Sequence, residues 1–112
     1  MKANKTNALF LVALVTAPDR KIARQLARAS LEARLVACAN IIGGLESHYW
    51  WQDKIERGNE VLILFKTSGR NVTALEKLIV SLHPYDTPEF VVLGIEHGNH
   101  RYLDWWKRCL LH

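Results

Sequence analysis

Ser47-His48-Tyr49-Trp50-Trp51-Gln52-Asp53-Lys54-Ile55-Glu56 is the stretch on which the fold turns. It joins two β-rich segments, residues 36–51 and 55–67, at a tight turn near Gln52-Asp53-Lys54. Each is far longer than the roughly five or six residues of an average strand, so the hairpin must project past the sheet it belongs to. Gly43-Gly44 and Arg57-Gly58-Asn59 read as bulges or bends where glycine lets the ribbon twist. A free two-stranded ribbon is only marginally stable, so this one is expected to pair with another chain.

Working outward, residues 8–16 read as a strand, 19–35 as a helix, 71–82 as a second helix, 89–96 as a fourth strand and 100–110 as a short terminal helix. The first helix places Ile22, Ala23, Leu26, Ala27, Ser30 and Leu31 on one stripe and leaves Arg20, Lys21, Arg24, Arg28 and Arg34 largely outside. Val72, Leu75, Leu78, Ile79 and Leu82 recur at helical spacing in the second. The order is βαββαβ with a helical tail, an α+β, ferredoxin-like split fold whose two helices cover one face of a four-stranded antiparallel sheet.

A sheet with one solvated face should alternate polar and apolar residues. Residues 9–15, 61–65 and 90–93 are instead continuous apolar runs, so both faces are expected to be buried. With helices on one side only, another subunit must cover the other.

At 112 residues the chain fits a single domain spanning 1–112. Its 49% hydrophobic and 23% charged residues are those of a soluble globular protein and argue against disorder. The net charge of +4 invites a nucleic-acid reading, but much of the positive charge lies on the solvated face of the first helix. An RNA-recognition module of the same element order should expose aromatics on its third strand, and Val61-Leu62-Ile63-Leu64-Phe65-Lys66-Thr67 does not. No nucleic-acid partner is expected. Nor is a membrane one, because no apolar stretch reaches the ~20 residues a spanning helix needs.

Lys2 and Lys5 ahead of an apolar run, with Val15-Thr16-Ala17 after it, imitate a secretory leader. Cleavage there would remove the first strand, so the run is read as core and the chain as cytoplasmic. The sequons at Asn4 and Asn71 then carry no weight. Two cysteines, Cys38 and Cys109, make no disulfide framework and fit a reducing compartment.

His83-Pro84-Tyr85-Asp86-Thr87-Pro88-Glu89 links the second helix to the last strand through two prolines, which stiffen the backbone around Tyr85. Together with the hairpin stretch, Thr16-Ala17-Pro18, Ala37-Cys38-Ala39-Asn40-Ile41, Glu60, Lys66-Thr67 and Tyr102-Leu103-Asp104-Trp105, it resembles the CutA family of divalent-cation tolerance proteins over roughly residues 9–106. The resemblance implies a homotrimer that acts as a metal-binding or signalling protein, without an established reaction. In some bacterial relatives the proposed copper ligands are a cysteine before Thr-Ala-Pro and two histidines before Pro-Tyr. Here those positions hold Val15, Leu82 and His83. One imidazole cannot make a tight site by itself, so copper or another divalent cation is expected to bind loosely, at His83.

Other candidate ligands form no strong local motif. His97-Gly98-Asn99-His100 reads better as a helix start than as a ligand platform, Cys38 reads as a small buried hydrophobe, and His48, His112 and Cys109 stand alone. No Gly-x-Ser-x-Gly, P-loop, His-Glu-x-x-His or Cys-x-x-Cys motif is present, and the chain is not read as an enzyme. In the split topology Thr16, the hairpin tip and the 83–89 loop share one pole of the sheet, while Asn40, Lys66 and Glu96 lie at the other. A trimer could set one pole against a neighbour, making an inter-subunit pocket lined by Tyr49, Trp51, Lys66, His83, Tyr85 and Glu89. The alternative is a sensor like the PII signalling proteins, binding an anion or nucleotide in that cleft.

Overall fold

The computed structural model describes residues 8–111. Its elements are β1 (Leu11–Ala17), α1 (Arg20–Glu32), β2 (Cys38–Trp51), β3 (Lys54–Thr67), α2 (Val72–Leu82), β4 (Val91–Gly94) and α3 (His100–Cys109). They form one sheet in the order β2-β3-β1-β4, with every neighbouring pair antiparallel. This is the split topology expected from the sequence. The sequon at Asn4 and His112 lie outside the described residues.

Strand parity explains the layers. Leu11, Ala13, Val15 and Ala17 on β1, with Val61, Ile63, Phe65 and Thr67 on β3, are buried on one face. Ala23 and Leu26 of α1 and Leu75 and Ile79 of α2 close over that face to make the core. The first helix starts where Asp19 Oδ1 accepts the Ile22 N–H at 2.9 Å, satisfying a donor that the helix cannot satisfy itself. Its basic residues Arg20, Lys21, Arg24, Arg28 and Arg34 are all exposed, as a solvated face requires.

The other face has no helix over most of it. Val12, Leu14, Leu62 and Leu64 alternate onto it, joined by Ile42, Val91 and Leu93, which are 48%, 49% and 53% exposed. Only one end is covered, by α3. Trp106 is 2% exposed there; its indole N–H donates to the Thr67 carbonyl at 3.0 Å, and its ring meets Phe10 edge-on at 5.3 Å. Asn99 Oδ1 accepts the Tyr102 N–H at 3.1 Å, so His97-Gly98-Asn99-His100 is the helix start anticipated from the sequence.

Three strands are shorter than expected, the second starting at Cys38 and not at residue 36. The first begins at Leu11, not at residue 8, and Leu9 is 57% exposed. The fourth spans Val91–Gly94, not 89–96. Pro88 offers no N–H with which to begin a ladder, and pairing with β1 begins only at Val91, opposite Leu14. Among the described residues no helix is long and apolar enough to cross a membrane.

The long hairpin forms as read, with one correction. Gly58 and Asn59 pair regularly with Ser47 and Glu46, so no bend interrupts β3 there. The irregularity is confined to Gly43-Gly44, between the pairs Ile42↔Leu62 and Leu45↔Glu60. Two residues of β2 there oppose Val61 alone, and Gly44 has φ +77, a left-handed value that suits glycine. Gly44→Ala is expected to lower stability by about 1 kcal/mol in denaturant melts. Gly43→Ala should cost little, because an added Cβ there meets only the flexible end of Arg20.

Candidate functional site

The bulge decides which side chains of the hairpin meet the uncovered face. Before it, Asn40 and Ile42 pair with Leu64 and Leu62 and share that face. The extra residue reverses parity, so Leu45, Ser47, Tyr49 and Trp51 now occupy it together with Glu60. The turn at the tip is a two-residue connection in which Gln52 and Asp53 both have positive φ, 50° and 66°, the geometry that matches the twist of a hairpin.

Across from this ribbon lies the 83–89 loop, held by a chain of hydrogen bonds. His83 ends α2 in an extended conformation, as the proline after it demands. Its Nε2 lies 2.7 Å from the Thr16 carbonyl oxygen, which can only accept, so Nε2 carries the ring proton. Its Nδ1 accepts the Tyr85 N–H at 3.1 Å. Tyr85 in turn donates its hydroxyl to Glu60 Oε2 at 2.8 Å. Burial, and then the Glu60 carboxylate beside it, push the Tyr85 phenol well above its ordinary range.

Between ribbon and loop lies a groove of about 700 Å³. Tyr49, Trp51, Tyr85 and Glu89, four of the six residues expected to share a pocket, line it. His83 does not; it is 8% exposed and braces the loop from behind. Lys66 is at the other end of the sheet, in register with Val12 and Cys38, where its Nζ donates to the Tyr102 hydroxyl at 2.7 Å and lies 5.1 Å from that ring's centroid. Within one chain Lys66 therefore does not join the others. Thr16 and Glu60 do line the groove, and were not among the expected residues. Glu60 was detectable: it is an acid at the same strand parity as Leu62 and Leu64.

The same geometry bears on metal. Both His83 nitrogens are engaged, so neither keeps a lone pair for a cation, and the corresponding Val15 and Leu82 carry no donor atoms. Among the described residues no three His, Cys, Asp or Glu side chains gather into a metal-binding group. His48 is 2.7 Å from Glu46, His100 is 3.7 Å from Asp104, and Cys38 and Cys109 are free thiols.

Residues 11–109 match the model of the CutA1 divalent ion tolerance protein family. The chain belongs to that family. The divalent-cation tolerance protein CutA of Thermus thermophilus is 45% identical over 96 residues, which cover 86% of this chain and 93% of the relative. Human protein CutA is also 45% identical over 96 residues, but those residues cover only 54% of that longer protein. Among solved structures, CutA1 from Shewanella sp. SIB1 superposes with a TM-score of 0.89 at 35% identity, covering 95% of this chain and 99% of that one. Thermus thermophilus Cut A1 gives 0.86 at 42% identity, covering 89% and 97%. These CutA proteins lend no support to a PII-like sensor.

The Tyr85–Glu60 bond predicts a pH response. An unfolded tyrosine ionises near pH ~10, while folded Tyr85 keeps its proton to higher pH. Above that point the folded chain binds more protons than the unfolded one, so stability is retained below about pH 10 and falls as pH rises past it. Phenolate absorbance should show a late phase that Tyr85→Phe removes.

Proposed function

We propose that this CutA-family chain acts in divalent-cation tolerance as a cytoplasmic homotrimer, by binding and not by catalysis. The observation that carries the assembly is the uncovered sheet face, where seven aliphatic residues, Val12, Leu14, Ile42, Leu62, Leu64, Val91 and Leu93, alternate toward solvent in a single chain. Ile42, Val91 and Leu93 alone are about half exposed, a pattern that fits an interface and not a solvated surface. The protruding hairpin adds a second surface with no partner in its own chain, since Trp50 and Ile55 at its tip are 72% and 68% exposed. Two free thiols suit a reducing compartment.

The residues at the copper positions of some relatives do not fit a tightly held ion here, for the reasons of geometry given above. A divalent cation would bind loosely and only by displacing the Thr16 carbonyl or the Tyr85 amide from His83. The ligand pocket in this reading is the groove between hairpin tip and loop, edged in the assembly by a neighbouring copy.

The test is growth of a strain deprived of its own CutA under rising copper, with and without this chain. Restored tolerance is expected. Growth indistinguishable from the empty-vector control, with the protein present and soluble, contradicts the reading.

A further inference from the structure

We propose that the solvent side of α1 is a docking surface for an acidic, extended peptide segment of a partner protein, with carboxylates at alternate positions followed by an apolar residue. The inference goes beyond the assembly and metal readings, because α1 packs on the core face of the sheet, away from the face assigned to the interface.

Residues 20–34 contain five arginines or lysines and one glutamate, so this segment accounts for the +4 of the whole chain and the remainder is balanced. All five cations are exposed, and among the described residues only Arg28 takes part in a salt bridge, with Glu32 at 3.0 Å. A field of one sign concentrated on one helix draws a partner of the opposite sign.

The placement also works against the helix itself, which is a second and independent sign of a role outside it. The first turn holds Arg20 and Lys21 and no acid, although the positive end of a helix dipole favours acids there. Arg20, Arg24 and Arg28 stand four residues apart on one stripe, where like charges repel. The Asp19 cap and Glu32 are the only carboxylates within this stretch to set against them.

Geometry selects the partner. The three arginines rise about 6 Å apart along the helix, close to the ~6.6 Å between alternate side chains of an extended peptide. The Arg20 guanidinium lies over Gly43, so the stripe runs along the β2 side of α1. At its far end a groove of about 400 Å³ opens between α1 and β2, where Ala27, Leu31 and Ile41 supply apolar surface beside Arg24 and Arg28. Leu31 is 42% exposed, and an aliphatic side chain entering the groove would cover it. Guanidinium forks pair with carboxylates bidentately. A nucleic-acid backbone offers phosphates but no aliphatic group for the groove, and a peptide offers both.

Fluorescence anisotropy of the full chain with the labelled peptide Glu-Ser-Glu-Ser-Glu-Ser-Leu at low salt tests this, run beside sedimentation of the same samples. Saturable binding is expected with a Kd below about 100 μM. Arg24→Gln should weaken it by about threefold and Arg24→Glu by about tenfold, with sedimentation unchanged. Arg101→Glu, the same charge reversal placed on α3, should leave it within about twofold. The rearranged peptide Glu-Glu-Glu-Ser-Ser-Ser-Leu, and the first peptide with Ser in place of Leu, should each bind at least about threefold more weakly. Lys21→Glu should weaken binding yet raise the melting temperature by about 2 °C at equal chain concentration. The proposal is overturned if the first peptide gives no saturation up to about 1 mM, if Arg101→Glu costs as much as Arg24→Glu, or if either altered peptide binds as well. It is also overturned if a short DNA duplex or phosphatidylserine vesicles bind more tightly than the peptide, or if Lys21→Glu melts lower than the parent, since the cations would then serve the fold. Dissociation of the assembly by Arg24→Glu would assign this face to a neighbouring copy and overturn the proposal as well.

Discussion

Leu93→Glu is expected to convert the proposed trimer into folded monomers. Leu93 lies on β4 opposite Val12, on the sheet face that no helix covers, and is 53% exposed in the single chain. The substitution forfeits about 2 kcal/mol of apolar burial in each copy. It also asks an unpaired carboxylate to enter a dry interface, which costs several kcal/mol more. Three such penalties per trimer exceed what assembly can absorb. The core on the opposite face contains no Leu93 contact, so far-UV circular dichroism should remain native. Leu93→Met, similar in volume and apolar, should remain trimeric. Retention of the trimer by the glutamate variant would move the interface elsewhere.

The second large effect is on stability. Trp106→Ala should destabilise the fold by about 3–5 kcal/mol in denaturant melts, the usual cost of emptying a large aromatic site. Two contacts fail at once: the indole N–H that satisfies the buried Thr67 carbonyl, and the edge-on packing against Phe10. Trp105→Ala is the control, because Trp105 is 38% exposed in the single chain. An equal loss in both variants would mean that α3 is docked by general contact and not by the Trp106 anchor.

Element order was readable in the sequence because the apolar periods are unambiguous. Leu75 and Ile79 at helical spacing, and the unbroken run 61–65, leave one topology that buries what must be buried. The uncovered face was readable for the same reason: Leu62 and Leu64 lie between core residues Val61, Ile63 and Phe65, and a chain with only two main helices cannot cover both sets. Strand ends were less legible. Residues 89–96 are apolar enough for a longer strand, but ladder pairing also needs donors in register, and Pro88 has none.

The site was half legible. Tyr49, Trp51, Tyr85 and Glu89 were placed at one pole by topology alone, and they share a groove. Thr16 was placed at that pole as the end of the first strand but not among the lining residues, and Glu60 was missed because the bulge at Gly43-Gly44, through its single extra residue, sets which hairpin side chains share a face with it. His83 illustrates a different limit. An imidazole in a stiff loop has the chemistry of a ligand, and only the Thr16 carbonyl and Tyr85 amide, fixed by tertiary structure, show both of its nitrogens engaged. Lys66 followed from no local signal, since its partner Tyr102 lies on α3, thirty-six residues further along the chain.

Sedimentation velocity on the unsubstituted chain at micromolar concentration tests the central claim most directly. The account predicts a single species of three chains, about 38 kDa from a 12.8 kDa protomer, with no monomer boundary on dilution. A folded, soluble species sedimenting as one chain would show that the aliphatic face tolerates water, and would contradict the account.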